Sequence, residues 1–245
     1  MAFHVTILFE GFSGKLQEGY LGWGTWALVE DESHKMMLDT GYVGLRKDYD
    51  QILAKAGVRP EEITHVLLTH LHFDHACNVD QYPNATFVVS RAEWEYANNP
   101  GCPDKFIERS ALPFLLSHNT RLVEDGEEVV PGVTAMLTPG HTPGCCSYVL
   151  NQEDGQRWVL AGDAAKNRGE LRTRQVQMSL DPQASAHSLE RIVAVAQRVL
   201  PGHDGWVRVE NGQVVAEGGN DKTLVFGQGV TVNCGNAKLT LTMDD

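Results

Sequence analysis

The sequence predicts a layered α/β protein whose apolar strands end in turns rich in histidine and acidic residues. The chain of 245 residues has a hydrophobic share of 42%, which is ordinary for one large domain with a substantial core. Its densest polar group, residues 69–75 (Thr-His-Leu-His-Phe-Asp-His), directly follows an apolar run at residues 63–68 that is typical of a buried strand. In layered α/β proteins, functional groups usually lie where strands run out into loops.

The first forty residues predict an antiparallel or mixed sheet edge. Strands are expected at residues 3–10, 25–30 and 35–38, with a glycine-rich stretch at residues 11–24 between the first two. No GxGxxG or GxxxxGK[ST] motif occurs, so dinucleotide and P-loop functions have no support. Apolar residues at helical spacing then predict a helix over residues 49–57, with glycine at its end.

Both helices and a second set of strands are expected through the rest of the first 203 residues. After the histidine cluster, a strand at residues 86–89 and a helix at residues 91–97 are predicted, and residues 104–118 suggest a short helix over the site. The later strands are expected at residues 121–123, 133–137, 147–150 and 158–160. The clearest helix is predicted over residues 182–199, because Asp181 is a favourable N-cap and proline follows it.

The tail is predicted to be a short β extension, residues 204–245, packed on the domain formed by residues 1–203. Turns and short strands are expected in it at residues 206–209, 213–216, 223–226, 229–232 and 239–243. Two roles are open for these strands. They could cover a sheet edge, or they could form a subunit contact in a homo-oligomer.

Composition argues against several classes of partner. The formal net charge of −12 opposes a surface built to wrap nucleic acid. Five cysteines without a CxxC pair favour reduced thiols in a cytosolic protein. The N-terminus lacks a basic region followed by a cleavage site, and no stretch is apolar enough to span a membrane, so we expect a cytoplasmic protein without membrane contact.

The histidine cluster predicts a metal site. Neutral imidazole is the commonest protein ligand for zinc, and carboxylate oxygen also binds it. A polar turn that happens to contain histidines is the alternative, but such closely spaced polar groups each cost desolvation energy unless they are satisfied. Three later turns place His141, Asp163 and His203 beside glycine, and proline stiffens the turns around the two histidines.

The joint pattern resembles the metallo-β-lactamase superfamily. The carrying motifs are HxHxDH at residues 70–75, TPGHTPG at residues 138–144, Gly162-Asp163, and Pro201-Gly202-His203, together with the early Asp39-Thr40-Gly41 turn. This resemblance extends over nearly all of residues 1–203. It implies a four-layer αβ/βα sandwich, the metallo-β-lactamase fold, with a dinuclear metal centre at one edge.

The resemblance also assigns the ligands residue by residue. It implies one metal on His70, His72 and His141, a second on Asp74, His75 and His203, and Asp163 as a bridge between them. Two divalent ions are therefore expected, with Zn²⁺ as the first choice; Mn²⁺ and Fe²⁺ also suit oxygen and nitrogen ligands. Two cations that share a water would supply a hydroxide nucleophile, and Asp74 could orient it and pass its proton to the leaving group.

The local motifs are nearest to the lactonase-like members, which indicates a metal-dependent hydrolase of a small ester, lactone or thioester. Those lactonases usually carry a tyrosine shortly after the bridging aspartate, whereas this chain has Ala164-Ala165-Lys166. The aspartate at position 163, where secreted β-lactamases typically use cysteine, counts against antibiotic hydrolysis. Two alternatives are a mononuclear iron dioxygenase of the persulfide type and a phosphodiesterase or RNA-processing hydrolase. A non-catalytic binding protein would require a broken ligand set.

Five residues are candidates for contact with a small-molecule substrate. Lys166 and Arg168 belong to a basic segment of an otherwise acidic chain, and they could hold a substrate carboxylate or phosphate; a merely solvated loop is the alternative. Phe73 and Trp23 could form an apolar wall near the metals, although tryptophan is more often core. His118 is a further candidate, in a loop of unknown position.

Overall fold

Two mixed sheets face each other at the centre of the computed structural model, which describes residues 2–17, 19–218, 221–225, 227–228 and 238–241. The first sheet has the strand order β1-β2-β3-β4-β5-β6 and the second has the order β13-β12-β11-β10-β9-β8-β7. The strands of the first sheet are β1 (His4–Phe9), β2 (Trp26–Glu30), β3 (Lys35–Leu38), β4 (His65–Leu67), β5 (Thr86–Ser90) and β6 (Thr120–Val123). Those of the second are β7 (Glu128–Val130), β8 (Val133–Leu137), β9 (Cys146–Asn151), β10 (Arg157–Gly162), β11 (Arg198–Pro201), β12 (Val207–Glu210) and β13 (Gln213–Ala216).

Helices cover the outer face of each sheet. They are α1 (Tyr49–Lys55), α2 (Phe73–Ala76), α3 (Arg91–Asn98), α4 (Ala111–Ser117), α5 (Arg168–Thr173) and α6 (Pro182–Val195). Successive strand residues point to opposite faces, so Leu28 of β2 packs among the residues of α1, α3 and α4, while Ala27 and Val29 pack toward the second sheet. The outer face of the second sheet packs against Leu171, Leu189 and Ile192. The result is the expected four-layer αβ/βα sandwich.

The predicted sheet edge is confirmed. Strand pairing in this sheet changes from antiparallel to parallel at β3. Strands β1, β2 and β3 pair antiparallel, whereas β3, β4, β5 and β6 pair parallel. Parallel strands deliver their carboxyl ends to one edge, and β10 pairs parallel with β11 in the second sheet. The turns that follow β3, β4, β10 and β11 can therefore meet at the same edge.

Some predicted boundaries were wrong because tertiary pairing overrides local helical spacing. The last predicted helix ends at Val195, not at residue 199, since Arg198 and Val199 pair with Trp158 and Val159 of β10. Beyond His203, β12 and β13 continue the second sheet, and β14 (Lys222–Val225) pairs with β15 (Lys238–Leu241). The strand predicted at residues 229–232 lies outside the described residues. Within the described part of the chain, we find no helix with the length and apolar character needed to cross a bilayer.

The core between the sheets should carry most of the stability. Leu160 on β10 is fully buried there, whereas Leu116 on α4 is 76% exposed. We expect Leu160→Ala to lower the free energy of unfolding by about 2–5 kcal/mol, because it leaves a cavity. The matched Leu116→Ala change should stay within about 0.5 kcal/mol. Urea denaturation followed by circular dichroism measures both, and similar losses for the two variants would contradict this account of the core.

Candidate metal centre

The seven residues assigned as ligands from the sequence lie together at one edge of the sandwich. The turn after β4 carries His70 and His72, and the short helix α2 that follows it carries Asp74 and His75. The turns after β8, β10 and β11 carry His141, Asp163 and His203. Three groups among them each have ligand atoms within 4.8 Å of one another: His70, His72 and His141; His70, His75 and Asp163; and Asp74, His75 and His203. The fold thus unites residues separated by more than a hundred positions.

Asp163 stands between the two outer groups. Its Oδ1 lies 3.3 Å from His75 Nε2 and 3.1 Å from His203 Nε2, while its Oδ2 lies 3.4 Å from His141 Nε2. On one side, His141 Nε2 is 3.1 Å from His72 Nδ1. One carboxylate thus faces both sets of imidazoles, which is the position that a bridging ligand requires.

Unsatisfied buried atoms test whether these residues fit metal ions. In the described chain, His70 Nε2, His75 Nε2, His141 Nδ1 and Asp163 Oδ1 are buried without a hydrogen-bond partner. His203 Nε2 makes a 3.3 Å hydrogen bond to Asp163 Oδ2, whereas the short contacts of Asp163 Oδ1 with His75 and His203 lack hydrogen-bonding geometry. Buried polar atoms cost free energy unless something satisfies them. Divalent cations would satisfy His70 Nε2, His75 Nε2 and Asp163 Oδ1, so these residues fit the group that the sequence predicted. His141 faces the centre through Nε2, and its unpartnered Nδ1 lies on the other side of the ring.

Four of the five histidines have their second ring nitrogen held by a specific oxygen. His72 Nε2 is 3.0 Å from Asp104 Oδ2, and His203 Nδ1 is 3.2 Å from the Phe12 carbonyl oxygen. His70 Nδ1 is 3.1 Å from Thr69 Oγ1. Such contacts fix ring orientation and leave the opposite nitrogen free to bind a metal.

Asp39 orients two of these histidines at once. Its Oδ2 lies 2.8 Å from His75 Nδ1 and accepts a hydrogen bond of 3.0 Å from Thr69 Oγ1, the hydroxyl that contacts His70. Its Oδ1 accepts from the Thr69 amide at 2.8 Å. Asp39 has a positive φ of 54°, a left-handed conformation that aspartate tolerates better than most residues. The Asp-Thr-Gly turn therefore supports the histidine cluster directly.

Charge is unevenly distributed over the centre. Burial, together with the neighbouring His75 and His72, lowers the pKa of His70 well below its ordinary value, so its ring is neutral. Burial alone would also lower the pKa of His75, but the carboxylates of Asp74, Asp163 and Asp39 raise it well above that value. The three carboxylates thus favour a positive charge in the site, and a bound cation would supply that charge.

Five of the seven candidate ligands line the floor of a cavity of about 680 Å³: His72, Asp74, His141, Asp163 and His203. Its walls come from three loops that precede β2, follow α3 and follow α5. The lining side chains that sequence reasoning missed include Phe12, Lys15, Tyr20, Tyr96, Phe106, Met178 and Leu180. The glycine-rich stretch at residues 11–24 signals a loop, but nothing local indicates that it reaches the metal turn.

The five predicted substrate contacts divide into two sets. Lys166 and Phe73 line the cavity, whereas Arg168, Trp23 and His118 are not among its lining residues. The Arg168 guanidinium is 1% exposed and bonds both oxygens of Asp204 at 2.8 and 2.9 Å. The other two pack elsewhere: the Trp23 ring contacts Phe9, Phe12 and Tyr42, and the exposed His118 stacks on Phe114. Only two candidates are thus placed to touch a ligand.

Sequence comparison agrees with this architecture. A family model described as "Metallo-beta-lactamase superfamily" matches residues 21–225, and the chain belongs to this superfamily. It is 32% identical over 157 residues to an N-acyl homoserine lactonase from a Bacillus species, an alignment that spans 62% of this chain and 60% of that relative. It is 30% identical over 183 residues to metallo-beta-lactamase domain-containing protein 1 of Xenopus laevis, covering 74% of this chain and 72% of that protein.

Structural comparison gives the same fold. The crystal structure of an AiiA mutant from B. thuringiensis, with N-decanoyl-L-homoserine bound at its active site, superposes with a TM-score of 0.67. The match covers 83% of this chain and 94% of that chain at 23% identity. Such a likeness establishes the shared fold, and the substrate of this chain has to be argued from its own cavity.

Replacing Asp39 tests whether it orients the metal-binding histidines. Asp39→Asn puts an amide where the carboxylate accepts from both Thr69 and His75, so at least one contact is lost. We expect affinity for Zn²⁺ to fall by about 10- to 100-fold, measured by competition with a chromophoric chelator. The control is Asp125→Asn, whose carboxylate pairs with Arg191 on the surface; unchanged affinity in both variants would refute the role of Asp39.

Proposed function

We propose that this protein is a dinuclear metal-dependent hydrolase of a small lactone, ester or thioester that carries an apolar chain. The observation that carries the proposal is the position of Asp163 between two groups of ligands at the floor of a cavity. His70, His72 and His141 would hold one ion, Asp74, His75 and His203 would hold the other, and Asp163 would contact both. Zinc fits these ligands best, although Mn²⁺ and Fe²⁺ also accept them.

When bound, two divalent cations lower the pKa of a shared water and polarise the carbonyl that it attacks. We propose that Asp74 moves the proton. Its carboxylate lines the cavity, and its Oδ2 lies 3.5 Å from His203 Nε2 and 3.7 Å from His75 Nε2. From there it can accept a proton from the attacking water and return it to the leaving oxygen or sulfur.

The cavity walls favour a substrate with an apolar tail. Around its mouth, the rings of Tyr20, Phe73 and Phe106 lie near one another, and Met178 and Leu180 are 41% and 59% exposed. Exposed apolar groups beside a polar floor are typical of a ligand site. The similarity to N-acyl homoserine lactonases supports a lactone with an acyl chain as the first substrate to examine.

Metal analysis combined with an acyl-chain series tests this function. We expect two equivalents of Zn²⁺ per chain and hydrolysis of N-acyl homoserine lactones and matched thioesters. Each added CH₂ should raise kcat/KM about three- to fourfold until the walls are filled, because burying a methylene contributes about 0.8 kcal/mol.

Asp163→Asn should abolish the second equivalent and lower kcat/KM by more than about 100-fold, beyond the loss typical of an indirect contact. One iron per chain with oxygen consumption on a persulfide would instead favour the mononuclear dioxygenase. Cleavage of phosphodiesters in preference to lactones would favour the RNA-processing class.

Lys166 is proposed to bind an anionic group of the substrate. Lys166 lines the cavity and is 9% exposed as a residue; its Nζ is buried, 3.5 Å from Glu170 Oε1 and without a hydrogen-bond partner in the described chain. A charge-assisted hydrogen bond from it to a carboxylate contributes about 1.5–3 kcal/mol. Arg168, the other cation that the sequence offers for this role, is the weaker candidate because its guanidinium is bound to Asp204.

The Lys166→Met change should separate acidic from neutral substrates. We expect KM for an ester with a free carboxylate to rise about tenfold or more, and KM for its neutral amide analogue to change little. Lys105→Met is the matched control, since Lys105 lines the same cavity but is exposed to solvent. An equal increase in KM for the acidic ester and for its neutral amide analogue would contradict the proposed contact.

A further inference from the structure

Glu93 is a buried carboxylate outside the proposed ligand set. It is the third residue of α3, and its amide donates a 3.0 Å hydrogen bond to the Ser90 side chain, which caps the helix. Its side chain is 0% exposed, and no lysine or arginine of the described residues forms an ion pair with it. A carboxylate buried in this way is tolerated only if hydrogen bonds satisfy both oxygens.

The two oxygens of Glu93 bind two different metal-site turns. Oε1 accepts the Leu71 amide at 3.0 Å, and Oε2 accepts the Thr142 hydroxyl at 2.6 Å. Leu71 lies between His70 and His72, and Thr142 directly follows His141. One side chain therefore spans the two segments that carry the three histidines of the first metal group.

The turn that follows His141 packs closely against the start of α3. A Cβ atom on Gly144 would lie 1.9 Å from the Glu93 backbone nitrogen. The Ser90 hydroxyl also donates a 2.5 Å hydrogen bond to the Gly144 carbonyl oxygen. The start of α3 thus contacts the turn at residues 142–144 through both side chains and backbone. This close contact explains why residue 144 is glycine.

We propose that Glu93 is a positioning residue that sets the distance between the two turns of the first metal group. Among the described residues, its carboxylate forms no hydrogen bond or ion pair with a proposed ligand, so it acts through the backbone of Leu71 and the hydroxyl of Thr142. The inference rests on the proposed metal centre. It predicts that Glu93 affects the metal affinity of one group, that of His70, His72 and His141. The group of Asp74, His75 and His203 has no contact with Glu93 among the described hydrogen bonds; it is held by the carbonyl of Phe12 and by Asp39, which also reaches His70 through Thr69.

Removing the Thr142 hydroxyl tests this link while keeping the shape of the side chain. In Thr142→Val and in Glu93→Gln, we expect the affinity of one of the two Zn²⁺ equivalents to fall about 10- to 100-fold, as for other indirect ligand contacts. The other equivalent should keep its affinity. Thr142→Ser retains the hydroxyl and should restore both. Stepwise Zn²⁺ titration against a chelator, with Co²⁺ absorption spectra to report coordination, measures these values.

Thr138→Val is the matched control, because Thr138 is a buried threonine on the same turn whose hydroxyl bonds Ser147 and not Glu93. It should lower the melting temperature of the metal-free protein and leave both affinities unchanged. If Thr142→Val also lowers only the melting temperature, Glu93 is a general stabilising residue and the inference is overturned. A wild-type protein that binds fewer than two ions overturns the proposed centre itself, whereas two ions bound equally well by all variants overturns only the role of Glu93.

Discussion

The burial of five imidazoles around the Asp163 carboxylate is the constraint on which the rest of the structure depends. Such a group is costly in an apolar interior unless each ring is held and each remaining atom is compensated. The chain meets this requirement with fixed oxygens on four of the rings, among them Asp39 and Asp104. Burial alone would raise the pKa of Asp104, but hydrogen bonds from His72 and the Phe106 amide lower it to about 2. The carboxylate is thus ionised beside the ring it orients.

The sandwich makes this arrangement possible by joining its two sheets just below the centre. The Tyr148 hydroxyl, on β9 of the second sheet, donates across the core to the carbonyl oxygens of Leu68 and Val88 at 2.9 and 3.1 Å. The backbone at Gly202 also packs closely against the Asp163 carboxylate, since a Cβ atom on Gly202 would lie 2.2 Å from Asp163 Oδ1. The floor of the cavity is therefore held by contacts between the two sheets, whereas most of its wall comes from loops that lie outside both sheets.

Two neighbouring cations show how little sequence proximity says about function. Lys166 and Arg168 look equivalent in the chain, yet the first lines the cavity and the second is buried against Asp204. Guanidinium matches a carboxylate through two parallel hydrogen bonds, which favours a fixed internal ion pair. The lysine ammonium lies 3.5 Å from Glu170 Oε1 without a hydrogen bond in the described chain, so its capacity to donate is unused. Arg168, the first residue of α5, is buried against Asp204, whereas Lys166, two residues earlier, lines the cavity.

The sequence by itself determined the class of fold, the superfamily and the set of seven candidate ligands. These depend on local patterns, namely apolar runs that end in turns with histidine, aspartate, glycine and proline in a specific order. The tertiary structure alone decided which side chains surround that centre. Glu93 bridges turns from residues 71 and 142, and Phe12 supplies an oxygen to His203 from 191 positions away. Contacts over such separations leave no mark in local spacing, because they arise only when the sheets stack and bring distant loops to one edge.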